Sequence, residues 1–138
     1  MKPILFHDID GVLFGEYDGA FQLRPAVNTW LEWAFEHFEV VWLTSWDQEK
    51  IKALLTVTYN AHLLHQFQHA NWTTYADKTV WLAEAKARLG QHQIFWIDDE
   101  AVPVEDVEAI RVNPKGAHEL VAVQAQLDQL LAFLHDEN

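Results

Sequence analysis

Apolar residues along this chain fall into two rhythms. Short unbroken runs recur at Ile4-Leu5-Phe6, Val40-Val41-Trp42-Leu43 and Ile94-Phe95-Trp96-Ile97, each the length of a strand buried on both faces. These predict strands at Ile4–Asp8, Val40–Leu43 and Gln93–Ile97, with a further short strand at Glu108–Val112 followed by the turn Asn113-Pro114-Lys115-Gly116. Elsewhere apolar positions return every three or four residues. Val27, Trp30, Leu31, Ala34, Phe35 and Phe38 predict a helix that starts at Arg24-Pro25, with proline in the first turn, and runs to about His37. Similar spacing predicts helices over Asp47–Leu55 and His118–Leu134, and Ser45 or Asp47 is the candidate cap of the former. The helix Lys78–Leu89 has Asp77 as its cap and Gly90 as its stop. Gly15 and Gly19 flank Glu16-Tyr17-Asp18 in a small hairpin or flap over about residues 12–22. The least patterned stretch is Thr56–Tyr75, read as one or two helical turns over Ala61–Phe67 and an edge strand over Gln68–Trp72.

Strands alternating with helices predict an α/β fold, a central parallel sheet with helices on both faces. At 138 residues, with no repeat and no linker-like segment, the expectation is a single domain over residues 1–138. Seven Trp and eight Phe in a chain that is half hydrophobic exclude a disordered protein. The absence of cysteine excludes a disulfide framework, a thiolate metal site and a cysteine nucleophile. The first apolar run is too short for a signal peptide and no later one is long enough to span a bilayer, so the expected location is cytoplasmic.

Charge changes the picture of partners. Nine Lys and Arg face 21 Asp and Glu, a formal net charge of −12, and no Lys or Arg occurs from Ala117 onward. Binding along a nucleic acid depends on cations that neutralise phosphates, so extended groove binding is not expected. A phosphorylated small molecule or a nucleic-acid end stays open.

The candidate chemistry lies where apolar runs give way to polar residues: Asp8 and Asp10 followed by Gly11, then Thr44 and Ser45, then Asp98 and Asp99. In open parallel sheets, sites form beyond the carboxyl ends of the strands. All three clusters therefore belong on one rim. Two carboxylates one residue apart at a strand end turn the same way, and a hard cation with oxygen ligands, Mg2+ first, relieves their repulsion. Gly11 allows a sharp turn where a side chain would obstruct.

In their order these pieces resemble the haloacid dehalogenase superfamily of phosphotransferases. Asp8-Ile9-Asp10-Gly11-Val12-Leu13 is similar to its first motif, Leu43-Thr44 to its second, Lys78 to its third and Trp96-Ile97-Asp98-Asp99 to its fourth. The resemblance extends to about Leu134. It implies a three-layer Rossmann-like fold and a Mg2+-dependent phosphatase that works on phosphomonoesters through an aspartyl-phosphate. Asp8 would be the nucleophile and Asp10 the general acid and base. Thr44 would hold a phosphoryl oxygen and Lys78 would screen Asp8 against the phosphate. Mg2+ would be held by the Asp8 carboxylate, the Asp10 backbone carbonyl and Asp98, with Asp99 a ligand through water or a neighbour of the ligands.

The intervals from Asp10 to Thr44 and from Thr44 to Lys78 leave no room for a cap domain. Only the flap could cover the site. A capless member implies macromolecular substrates, or a protein partner or oligomer that supplies the lid. Val41-Trp42-Leu43-Thr44-Ser45-Trp46, Phe95-Trp96-Ile97-Asp98-Asp99-Glu100 and Asn113-Pro114-Lys115-Gly116 are further similar to the small phosphatase-like domains of multi-domain RNA-repair proteins. That similarity implies nucleic-acid phosphate ends as substrate.

Rival readings remain at several positions. Thr44 could serve as a helix cap, with Ser45 the phosphate contact. Lys78 could be a solvated lysine, although a cation is disfavoured at a helix N-terminus. His7 points to the far side of its strand and reads as core, and Glu100 reads as surface. His62, His65 and His69 have a spacing that invites zinc, but no acidic partner matches it, so no metal role is assigned. The Trp-bearing helix from Pro25 to His37 reads as core, not as a base-stacking platform. As a whole, the rivals to the phosphatase are a receiver-like module or an inactive Mg2+- and phosphate-binding interaction module.

Overall fold

The computed structural model describes residues 2–58 and 67–136. The chain runs β1 (Ile4–His7), β2 (Phe14–Tyr17), β3 (Ala20–Leu23), α1 (Val27–His37), β4 (Glu39–Leu43), α2 (Gln48–Thr58), β5 (His69–Ala70), α3 (Lys78–Leu89), β6 (Ile94–Asp98), β7 (Glu108–Arg111) and α4 (Glu119–Asp136). Five strands form one sheet in the order β5-β4-β1-β6-β7, and every pair is parallel. The first strand is thus the central one. Its register sets Leu5 between Val40 and Phe95 and His7 between Trp42 and Ile97.

Alternation along the strands divides the core between two faces. Leu5, Val40, Trp42, Phe95 and Ile97 pack with Trp30, Leu31 and Ala34 of α1, Ile51 and Leu55 of α2, and Leu120, Val123 and Leu127 of α4. Ile4, Phe6, Leu43, Ile94 and Trp96 pack with Trp81, Leu82 and Ala85 of α3. The result is an α/β three-layer arrangement compatible with a Rossmann-like sheet. Burying each of these large apolar side chains contributes about 1.5–3 kcal/mol. Among the described residues no helix is long and apolar enough to cross a membrane.

Most element boundaries follow local chemistry. Asp77 accepts a hydrogen bond from the Val80 amide and caps α3, and Gly90, at φ 63°, ends it. At the start of α2, Asp47 is the cap, its Oδ1 accepting from the Lys50 amide at 2.8 Å. The flap is a two-stranded antiparallel hairpin, β2–β3. His69–Ala70 is the edge strand, shorter than Gln68–Trp72. Of the helical turns expected over Ala61–Phe67, residues 61–66 lie outside the described residues.

One helix start differs from expectation. Pro25 is not in the first turn of α1, which begins at Val27 after Ala26 in the left-handed conformation, φ 65°. The cause is Arg24, which is buried. Its backbone amide donates to Leu13 O at 2.9 Å. Its guanidinium donates to the carbonyls of Val12, Gly11 and Asn113 at 2.7, 2.7 and 2.9 Å, and also to that of Gly116. With Arg24 fixed under the hairpin, the chain must reverse before a helix can begin.

Candidate metal and phosphate site

The carboxyl ends of β1, β4 and β6 face one cleft of about 550 Å3, which Asp8, Asp10, Thr44, Lys78, Asp98 and Asp99 all border. It lies where the strand order turns back, with β4 on one side of β1 and β6 on the other.

β1 stops at His7, so Asp8 is the first residue past the strand. Its amide still donates to Ile97 O at 3.1 Å. The chain then turns, with the amides of Val12 and Leu13 both donating to Ile9 O. Asp10 therefore reaches the cleft from the turn and not by strand alternation. Asp8 is buried and Asp10 exposed. Gly11 makes the turn at φ 81°, and a Cβ there would lie 2.3 Å from Asp99 Cγ. Any other residue there would have to displace that carboxylate.

Lys78, the first residue of α3, reaches from the opposite wall. Its Nζ is 3.2 Å from Asp8 Oδ1 and 2.5 Å from Asp98 Oδ2, which offsets the poor placement of a cation at a helix N-terminus. Asp98 is buried. Its Oδ2 also accepts from Trp96 Nε1 at 3.3 Å and its Oδ1 from the Glu100 amide at 2.9 Å. Oxygens of Asp8, Asp98 and Asp99 lie within 4.8 Å of one another, a donor set that suits a hard divalent cation. The Asp10 carboxylate is not part of this group; its Oδ2 instead accepts from Trp46 Nε1 at 3.1 Å.

Burial and crowding set the proton affinities. The Asp8 carboxyl is pushed up to about 7, first by burial and then by the charge of Asp98, against the opposing pull of Lys78. Asp99 is pushed up to about 6 by burial and by its hydrogen bond to Asp98. Burial works to lower the Lys78 ammonium, but Asp8 and Asp98 outweigh it and hold the group above its ordinary value. A further cation beside these carboxylates would favour their charged forms.

Thr44 is buried and Ser45 exposed, and both border the cleft. The Thr44 hydroxyl accepts from the Trp46 amide at 3.2 Å, a local turn and not a helix cap, since Asp47 caps α2. Glu100 is exposed. His7 is buried on the α1 face. Trp30 is fully buried within the core of that face. His69 lies on a strand, where its Nε2 is buried without a partner among the described residues. His62 and His65 lie outside the described residues.

Several residues at the cleft carry no sequence signal of their role. Phe21, 62 % exposed on the hairpin, borders the cleft together with Trp72, whose ring centroid is 5.9 Å from Lys78 Nζ. Trp46 holds Asp10, and Arg24 holds the Gly11 carbonyl from behind. An aromatic run beside a strand end could have drawn attention to Trp46, but nothing local distinguishes Arg24. No protein-family model matches this chain, and comparison with curated proteins and with solved structures gave no match.

Proposed function

We propose that this chain is a capless phosphatase of the haloacid dehalogenase type, which hydrolyses phosphomonoesters through an aspartyl-phosphate on Asp8. The observation that carries this reading is Lys78 Nζ set between Asp8 and Asp98 at 3.2 and 2.5 Å, with Asp99 completing a three-carboxylate group. The order and spacing of the four sequence motifs support it independently.

Asp8 attacks phosphorus, displacing the ester oxygen. Asp10, exposed at the mouth of the cleft, gives a proton to that oxygen and then takes one from the water that hydrolyses the intermediate. Thr44 or Ser45 holds a phosphoryl oxygen. Lys78 pulls Asp8 toward its charged form, against burial and Asp98, and lowers its repulsion from the incoming phosphate. Asp8, Asp98 and Asp99 fit Mg2+, and the Asp10 backbone carbonyl would join them as the resemblance implies. The ion when bound would supply charge neutralisation at the phosphoryl group.

The test is hydrolysis of p-nitrophenyl phosphate by the purified chain with Mg2+, then with EDTA, beside Asp8→Asn. Turnover that needs Mg2+ and is lost in Asp8→Asn is the expected result. Activity retained by Asp8→Asn would remove the nucleophile. Stable phosphorylation without turnover would point to a receiver-like module, and Mg2+ binding without either to an inactive interaction module.

A further inference from the structure

Trp46 joins the turn after β1, the end of β4, α2 and the hairpin. Its Nε1–H donates to Asp10 Oδ2 at 3.1 Å. Its backbone amide donates to Thr44 Oγ1 at 3.2 Å, which ties it to the end of β4. Lys50 of α2 places its Nζ 3.9 Å from the centroid of the Trp46 ring, a cation–π contact that further fixes the indole. The ring also meets Phe14 of β2, centroids 6.5 Å apart. Phe14 in turn stacks on Phe21 of β3 at 5.4 Å and 13°. Phe21 is the exposed residue that the hairpin presents to the cleft.

We infer that Trp46 is a positioning residue for Asp10, and that the Phe21–Phe14–Trp46 run links the hairpin over the cleft to that acid. The inference rests on the phosphatase reading. An indole N–H only donates, so its bond makes Asp10 Oδ2 an acceptor and leaves Oδ1 to carry the transferable proton. As an Asp8 oxygen bonds to phosphorus and the bond to the ester oxygen breaks, the Oδ1 proton passes to that oxygen and the alcohol leaves neutral. Water then attacks the aspartyl-phosphate and gives a proton to Oδ1. The bond from phosphorus to Asp8 breaks, and phosphate is released. Without the indole bond, the exposed Asp10 carboxylate is free to rotate away from this geometry.

Proton donation matters most when the leaving oxygen is a poor one. A nitrophenolate departs unaided, whereas an alkoxide does not. The experiment compares glycerol phosphate with p-nitrophenyl phosphate, both with Mg2+, for the full chain and for Trp46→Phe, which keeps a ring against Phe14 and removes the N–H. The expected result is a loss of ~10–100-fold in kcat/KM for glycerol phosphate, part of the ~10²–10⁴ that a positioned acid–base group contributes. kcat/KM reports formation of the aspartyl-phosphate and not its hydrolysis, which both esters share, and is the quantity compared throughout. For p-nitrophenyl phosphate the change should stay within ~3-fold. An equal loss on both esters, or none on either, overturns the inference and leaves the phosphatase reading standing. No turnover of either ester by the unsubstituted chain removes both.

Discussion

Trp30 Nε1 donates to His7 Nε2 at 2.9 Å, deep beneath the cleft. That bond makes Nε2 an acceptor, so the proton of the neutral imidazole sits on Nδ1, where it is donated to the Asp8 backbone carbonyl at 2.5 Å. The residue before the proposed nucleophile therefore fixes the nucleophile's own backbone, and α1 fixes that residue in turn.

Burial pushes the His7 imidazole down to about 4, and the bond to the Asp8 carbonyl and the charge of Asp98 only partly oppose this. Imidazole nitrogen shifts recorded by NMR between pH 5 and 8 should show one neutral, Nδ1-protonated ring without titration. A midpoint near 6.5 would contradict the arrangement. Trp30→Phe leaves Nε2 buried and unpaired, a loss of about 1–3 kcal/mol in chemical denaturation.

Without metal, stability should fall as pH rises from about 6.5 to 8. Asp8 binds its proton more tightly in the folded chain, at about 7, than when unfolded, at 3.8. Its contribution is therefore complete below 3.8 and lost as pH rises through about 7. His7 has the opposite sign: its contribution is present above 6.5 and lost as pH falls through about 4. The two offset each other between those values, with Asp99, raised to about 6, acting alongside Asp8. Above 6.5 the Asp8 slope outweighs the fading slope of His7, a net fall of roughly 0.5 kcal/mol up to pH 8. Denaturation midpoints across this range should show the fall in EDTA and lose it in millimolar Mg2+. A midpoint that climbs with pH in EDTA would refute the burial of Asp8.

Gly11→Ala should damage the metal group more than the fold. The left-handed backbone costs about 1–2 kcal/mol for an alanine, and its Cβ displaces the Asp99 carboxylate lying 2.3 Å away. Calorimetric titration should give at least about tenfold weaker Mg2+ binding, since misplaced groups around a metal typically cost that much or more. Unchanged affinity would mean that Asp99 is not needed to hold the ion.

Arg24→Lys keeps the charge and loses the fork. One ammonium cannot reach four carbonyls set at different angles, and each charged hydrogen bond contributes about 1.5–3 kcal/mol. Urea denaturation should show a loss of about 2–4 kcal/mol. A change below about 1 kcal/mol would show that water replaces the guanidinium without penalty.

The sequence announced the elements whose signals are local. Asp77 and Gly90 bound α3 to the residue because a cap and a left-handed stop need only their own neighbours. The convergence of Asp8, Thr44 and Asp98 was legible because strand ends in a parallel sheet share a rim, whereas Lys78, which opens α3, was marked only by its place in the order of motifs. Pro25 misled because the turn before α1 is dictated by Arg24, whose acceptors Asn113 and Gly116 lie about 90 residues away. Carbonyl acceptors carry no residue signature. For the same reason the bond from Trp46 to Asp10, across 36 positions, became visible only in three dimensions, while Asp10 itself looked like a strand-end partner of Asp8.

The placement of β1 at the centre of the sheet has a consequence for the timing of assembly. Its partners are β4 and β6, and the pairing of Ile4 with Ile94 closes a loop that takes in most of the chain, the kind of contact that slows folding. On a ribosome, β1 emerges before both partners, and after pairing with β4 it keeps one edge unpaired until β6 follows. Asp8 and Asp98 meet only then, so no nascent chain that stops short of β6 holds the three-carboxylate group.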